Sequence, residues 1–240
     1  PTLNFNEIFN HTKGDLKKIK YLQLAMKKIM DNLLEVSKEN GLVDSFHLHM
    51  MPNLGLKEGK EIIKYASKNE YGTTDIQFII KGAIKEAGLL VILNEYISSK
   101  TGFYPFGETF NVRTAPKTID GLEKLCREKI PKNEMPLLIG VGDTVTSIQD
   151  PNNKDWLRGG SDRGFLTLIQ RLGRSYDKNN QIIFVNSGNN EVYRPKIKGS
   201  DMSGISDPSD ELKFTLIINE GPDEYVEWFR QLANTFSNNY

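Results

Sequence analysis

Leu137-Leu138-Ile139-Gly140-Val141 is a continuous apolar run that closes on Gly142-Asp143-Thr144. No other stretch constrains the chain as tightly. An unbroken aliphatic run of this length has the pattern of a strand covered on both faces, and such strands belong to parallel sheets flanked by helices. The acidic residue then stands at the carboxyl end of the strand, the edge where open α/β sheets bind ligands. Gly140 and Gly142 leave the backbone room to turn beside the carboxylate. Asp143 is therefore a candidate ligand for Mg²⁺, which takes one or two carboxylates and fills its shell with water and phosphate oxygen. The competing reading is a plain cap on the next segment.

The surrounding pattern supports an α/β layer structure. Residues 14–39 have helical spacing, with Leu16, Ile19, Leu24, Ile29, Leu33 and Val36 set among lysines and Gly41 at the end. Val43–Met50 predicts a strand stopped by Pro52, and Lys57–Ser67 a short helix. Thr74 with Gln77 resembles a capping box, so residues 74–98 read as one long buried helix; Gly82 and Gly88 leave open a split into a helix and a strand over Leu89–Leu93. Thr101–Thr109 reads as a loop and a domain boundary. Beyond it, strands are expected at Phe110–Thr114, Leu137–Val141, Ile182–Val185 and Phe214–Ile218, and helices at Thr118–Lys129, Asp162–Leu172 and Pro222–Phe236. Residues 149–161 and 186–211 read as irregular. Asp162 would cap its helix and Gly173 would end it.

Several function classes fall away on composition. The 31 Lys and Arg balance the 31 Asp and Glu, and no basic stripe with aromatic residues favours a nucleic-acid partner. No apolar run is long enough to span a bilayer, so no membrane partner is expected. The single cysteine, Cys126, excludes an internal disulfide framework and reads as a buried thiol, fitting a cytoplasmic setting. No glycine-rich nucleotide loop and no supported Ser-His-Asp order occurs. His47 and His49 would share one face of a strand, but no third ligand accompanies them, so they read as surface or packing residues. Tyr104, Phe106 and Glu108 read as hinge packing.

Lys117 stands at a turn ahead of a helix, with Arg113 nearby. A lysine at the same sheet edge as Asp143 would offset phosphate charge. Gly159-Gly160-Ser161-Asp162-Arg163-Gly164 precedes another helix, where amides, Arg158 and Arg163 could hold an anion. Thr114-Ala-Pro-Lys117 followed by Ile139-Gly-Val-Gly-Asp143 resembles the third and fourth motifs of haloacid-dehalogenase-like phosphatases. The wider segments Phe110–Leu122, Gly142–Ser147 and Arg158–Leu168 resemble the glucosylglycerol-phosphate phosphatases of cyanobacteria, most firmly over residues 106–240.

This resemblance implies a haloacid-dehalogenase-like core, present as the carboxyl-terminal half of a Rossmann-like sheet over residues 109–240, with an α+β cap over residues 1–108. It implies a Mg²⁺-dependent phosphatase of glucosylglycerol phosphate, acting in compatible-solute synthesis under salt stress through an aspartyl-phosphate. Lys117 would be catalytic. Asp143 and Ser147 would stand at the metal, Ser147 occupying a position where the family often has a second aspartate and Asp150 being a substitute. Arg113, Ser161, Asp162 and Arg163 would bind the sugar phosphate. The family's nucleophilic Asp-x-Asp is absent: Asp15, Asp31, Asp44 and Asp75 are the only aspartates in the first hundred residues, and none closes an apolar strand. The expectation is that a missing amino-terminal core segment of the same protein carries it, and that this chain alone has little or no activity. The alternative is a non-catalytic sugar-phosphate binding module.

Overall fold

The computed structural model describes residues 2–4, 11–42, 45–51, 53–57, 60–68, 72–80, 84–150, 154–187 and 201–237. The apolar run forms β6 (Ile139–Gly142), which pairs in parallel with β9 (Gln181–Val185), and β9 pairs in parallel with β10 (Leu216–Ile218). The order is β10-β9-β6. Helix α4 (Arg163–Tyr176) follows β6 and leads back to β9. Its Leu166 and Ile169 pack on Ile182 and Phe184 of the sheet. Its Leu168, Leu172 and Tyr176 instead meet Leu90, Leu93 and Ile97 of α2 (Lys85–Thr101), and Leu122 and Cys126 of α3 (Ile119–Lys129). A helix apolar on both flanks is what a buried middle helix requires. Helix α5 (Pro222–Ser237) covers the other face, setting Tyr225, Trp228 and Phe229 on Ile183, Val185 and Ile218. Burial pushes the Cys126 thiol up to about 12, so it is an inert packing group as expected.

One expectation about β6 changes. Among the described residues it is an edge strand, and Leu137 and Ile139 are 55% and 44% exposed, so the run is not covered on both faces.

The first part of the chain forms a separate antiparallel sheet, β1-β5-β2, from Thr2–Asn4, Asp75–Ile80 and Phe46–Met51. Leu48, Met50, Ile76 and Phe78 face α1 (Leu16–Glu39), packing with Met26 and Met30. The Asp15 carboxylate caps α1 by accepting the Lys17 and Lys18 amides at 3.0 and 3.3 Å. The helix exists where its spacing predicts, but with a different face inward. Ile19, Gln23 and Met30 are buried, whereas Leu24, Ile29, Leu33 and Val36 are exposed. Gln23 is inside because it replaces missing backbone partners: its Nε2 donates to Thr73 O and its Oε1 accepts from Ala66 N.

Four further differences have local causes. Among the described residues of the expected helix over 57–67 none is helical; β3 (Asn53–Lys57) and β4 (Lys60–Ile63) pair antiparallel, and Glu61 accepts the Met50 amide at 2.6 Å. Residues 75–80 are strand rather than helix, because Ile76, Phe78 and their neighbours alternate against β2 with period two. The expected strand at Phe110–Thr114 is a set of turns, with Asn111 Oδ1 accepting the Arg113 amide and Thr114 Oγ1 the Asn111 amide. The polar stretch 149–161 contains part of a hairpin, β7 (Thr146–Gln149) with β8 (Trp156–Gly159). Helix α4 also runs past Gly173 to Tyr176, where Asp177 takes the left-handed conformation. Of the long expected loop, residues 188–200 lie outside the described residues; the rest carries no helix or strand. By packing, α2 belongs with α3 and α4, on the far side of the expected boundary at residue 108.

Candidate functional site

The carboxyl edge of the parallel sheet gathers a compact polar cluster. Asp143 follows β6 directly. Its Oδ1 accepts the Thr144 hydroxyl at 2.8 Å and its Oδ2 accepts the Ser187 hydroxyl, just past β9, at 2.6 Å. Asp162 comes 19 residues later, after the β7–β8 hairpin has gone out and returned. Its Oδ2 accepts the backbone amides of Asp143 and Thr144 at 2.8 and 2.9 Å. The side chain therefore braces the end of β6 and makes no capping bond to its own helix. Lys85, at the start of α2, donates to Asp162 Oδ1, and its Nζ lies 3.4 Å from Ser161 Oγ. Asp162 is almost fully buried while the Lys85 side chain is half exposed, so the cation faces open space and the carboxylate holds it there.

Two glycines make this packing feasible. A Cβ on Gly142 would come within 2.8 Å of Asp162 Cβ, and one on Gly160 within 2.2 Å of Thr144 O. Gly160 also has φ +99°, which L side chains rarely adopt. Beside Lys85, Glu86 is half-buried, and desolvation raises its carboxyl above the usual range, against the opposing pull of a backbone hydrogen bond and of Lys85.

A cavity of about 430 Å³ opens at this cluster. Lys85, Glu86, Gly160 and Ser161 form its floor. His49, Met51, Gln77 and Ile79, from the face of the antiparallel sheet that α1 leaves uncovered, form its roof. The site thus lies between the two sheets.

The sequence-predicted residues divide. Asp143, Ser161 and Asp162 come together. Lys117 does not join them: it is exposed, and its Nζ donates to the carbonyls of Val112 and Arg113 at 3.0 and 3.1 Å. Arg113 is exposed on the same turns. Arg163 is bound into the structure, gripping Asp210 through Nη1 at 2.7 and 2.9 Å and reaching Thr146 O with Nη2. Ser147 is buried and donates to Asp207, which Arg158 holds with two bonds of 2.8 Å. That fork keeps the Asp207 carboxyl far below the ordinary carboxylate range. Asp150 lies at the far end of β7 from β6, its carbonyl accepting the Lys154 amide. The His47 side chain lies outside the described residues.

Lys85 was missed, and so was the pairing of Asp162 with Asp143. Neither has a short-range signal: Lys85 is one lysine in a stretch that reads as mid-helix, and Asp162 is separated from Asp143 by a hairpin of polar sequence.

The donor that fits Mg²⁺ here is the Asp143 carboxylate, flanked by the Thr144 and Ser187 hydroxyls, because both oxygens of Asp162 are engaged by Lys85 and by backbone amides. Among the described residues no group of three or more His, Cys, Asp or Glu could hold a metal alone, so water and ligand oxygen would complete the shell.

Two aspartates and a lysine gather at the carboxyl edge of a parallel sheet, beside a cavity roofed by a second, antiparallel sheet, in a chain of mixed α/β class. The chain belongs to the glucosylglycerol-phosphate phosphatase family, whose model matches residues 1–233. It is 39% identical over 245 residues to a glucosylglycerol-phosphate phosphatase of Synechocystis sp.. That match takes in 97% of this chain but only 58% of the relative's length. No solved structure matches the chain.

Proposed function

We propose that this chain is the substrate-covering and metal-side portion of a Mg²⁺-dependent phosphatase that hydrolyses glucosylglycerol phosphate. The observation that carries the reading is the Asp143–Asp162–Lys85 cluster, whose Lys85 lines the cavity under the antiparallel sheet. In this reading Lys85, not Lys117, faces the phosphate. Its charge offsets the charge that grows on the phosphoryl oxygens as the ester bond breaks, and its bond to Asp162 fixes its position beforehand. Asp143 is held by Thr144 and Ser187 in one orientation and would hold the cation, with Asp162 bracing the strand end behind it. Mg²⁺ bound there supplies Lewis-acid stabilisation of the phosphoryl group. The antiparallel sheet with α1 acts as the cap, ending at β5 rather than at residue 108, and excludes water from the cavity.

The nucleophilic aspartate lies outside this chain in this reading. Two observations support that: no Asp-x-Asp closes an apolar strand here, and β6 has an open, half-exposed edge among the described residues where a further core strand would fit the haloacid-dehalogenase-like pattern. No helix among the described residues is long and apolar enough to cross a membrane, and we place the enzyme in the cytoplasm, where its lone thiol stays reduced.

The test is phosphate release from glucosylglycerol phosphate by the full-length parent protein. Mg²⁺-dependent turnover is expected, with Asp143→Ala lowering it on the order of a thousandfold. The 240-residue chain alone should be inactive. Turnover by the isolated chain would put the nucleophile inside it and overturn that assignment. A parent with no phosphatase activity would leave a non-catalytic sugar-phosphate binding module.

A further inference from the structure

His49 lies on β2, directly opposite Gln77 on β5, in the roof of the cavity. Its Nδ1 is 2.7 Å from Glu61 Oε1. The Glu61 carboxylate also accepts the Met50 amide through Oε2, which pins it from the other side. A carboxylate only accepts, so Nδ1 carries the proton and donates. The other ring nitrogen, Nε2, is buried and has no hydrogen-bond partner. A buried, unpartnered polar atom is costly to keep, and such atoms are rare in native proteins. The ring is thus held by a carboxylate on one side and left unsatisfied on the other, in the wall of a cavity whose floor carries the lysine.

We propose that His49 Nε2 is a specificity contact for a hydroxyl of the alcohol portion of the substrate, with the Gln77 amide beside it and Glu61 as the residue that positions the ring. The inference rests on the phosphatase reading above and deepens it: the floor takes the phosphate, and the roof reads a polyhydroxylated leaving group. A neutral imidazole with Nδ1 protonated offers Nε2 as an acceptor, which suits a sugar or glycerol hydroxyl and does not suit a phosphate oxygen. A site built to hydrogen-bond a hydroxyl rejects analogues lacking it, because its own buried polar atom is then left unpaired.

Two measurements test this. In the native 240-residue chain, the imidazole ¹⁵N resonances of His49 are followed during titration with glucosylglycerol and, separately, with inorganic phosphate. Nε2 should shift with glucosylglycerol and not with phosphate. No shift with glucosylglycerol, or an equal shift with phosphate, overturns the proposal. In the parent protein, His49→Leu and Glu61→Gln should each lower kcat/KM for glucosylglycerol phosphate, relative to that for p-nitrophenyl phosphate, about tenfold. An unchanged ratio in His49→Leu also overturns it. If the wild-type parent hydrolyses neither ester, the phosphatase reading fails, while the resonance shift still decides whether His49 meets the polyol.

Discussion

Lys85 and Lys117 show how little a residue's identity says without its partners. Both are lysines at the start of helices. Lys117 turns back onto two carbonyls of its own turn, where it neutralises exposed backbone oxygen. Lys85 is fixed on a nearly buried carboxylate and lines the cavity. In the parent enzyme Lys85→Ala should lower turnover about a hundredfold or more, whereas Lys117→Ala should stay within about twofold; steady-state phosphate release compares them directly. Gly160 is a second case. Gly160→Ala would need both a left-handed alanine and a 2.2 Å contact with Thr144 O. It should cost about 3 kcal/mol, read from the urea midpoint of the 240-residue chain. Asp143 was legible because it ends an apolar run. Lys85 was not, because its meaning comes from Asp162, which reaches it only through the fold.

Among elements, the segment 201–212 is fastened to the β7–β8 hairpin and to α4 by two arginine forks. Arg163 reaches Asp210, Thr146 and Ile205, and Arg158 reaches Asp207 and Ser209. Asp207 is fully buried, so its ionised form depends on Arg158 and two serine hydroxyls. Because its folded pKa is depressed, the stability it contributes is present in full above the unfolded value of about 3.9 and is lost as pH falls toward the folded value. Denaturant titrations should show this directly. Asp207→Asn should cost about 2 kcal/mol at pH 7, and the gap to wild type should narrow below about pH 4. The sequence reads well for elements whose period is unambiguous, such as α3, β9 and α5. It misleads at residues 75–80, where a short stretch with four apolar residues out of six fits either period and only pairing with β2 decides. It misleads again in α1, whose exposed Leu24, Ile29, Leu33 and Val36 are as regular as its buried Ile19, Gln23 and Met30.

For the whole molecule, the notable asymmetry is in the parallel sheet. Helices cover both faces, and β10 and β9 are paired, yet β6 ends the described sheet. Leu138 N donates to Asn180 Oδ1 on the β9 side. Alternation then aims the Ile139 and Val141 amides away from β9. If the parent protein supplies a strand beside β6, these two amides should exchange with solvent at least tenfold more slowly in the parent than in the 240-residue chain. Equal rates would argue that the edge stays open. The two-sheet arrangement with a cavity between was foreseen only as a core and a cap. The residues that line it come from four separate stretches, and no one-dimensional pattern links them.

The hairpin between Asp143 and Asp162 sets the two residues far apart along the chain and yet in contact, the carboxylate of one on the backbone amide of the other. It works as an excursion that starts and ends at one place. Such an excursion can gain or lose a rung in evolution without disturbing what it joins, provided both feet stay planted. The spacing between the two acids is thus set by the length of the hairpin and not by the geometry that joins them, so counting residues from the first is no guide to the second.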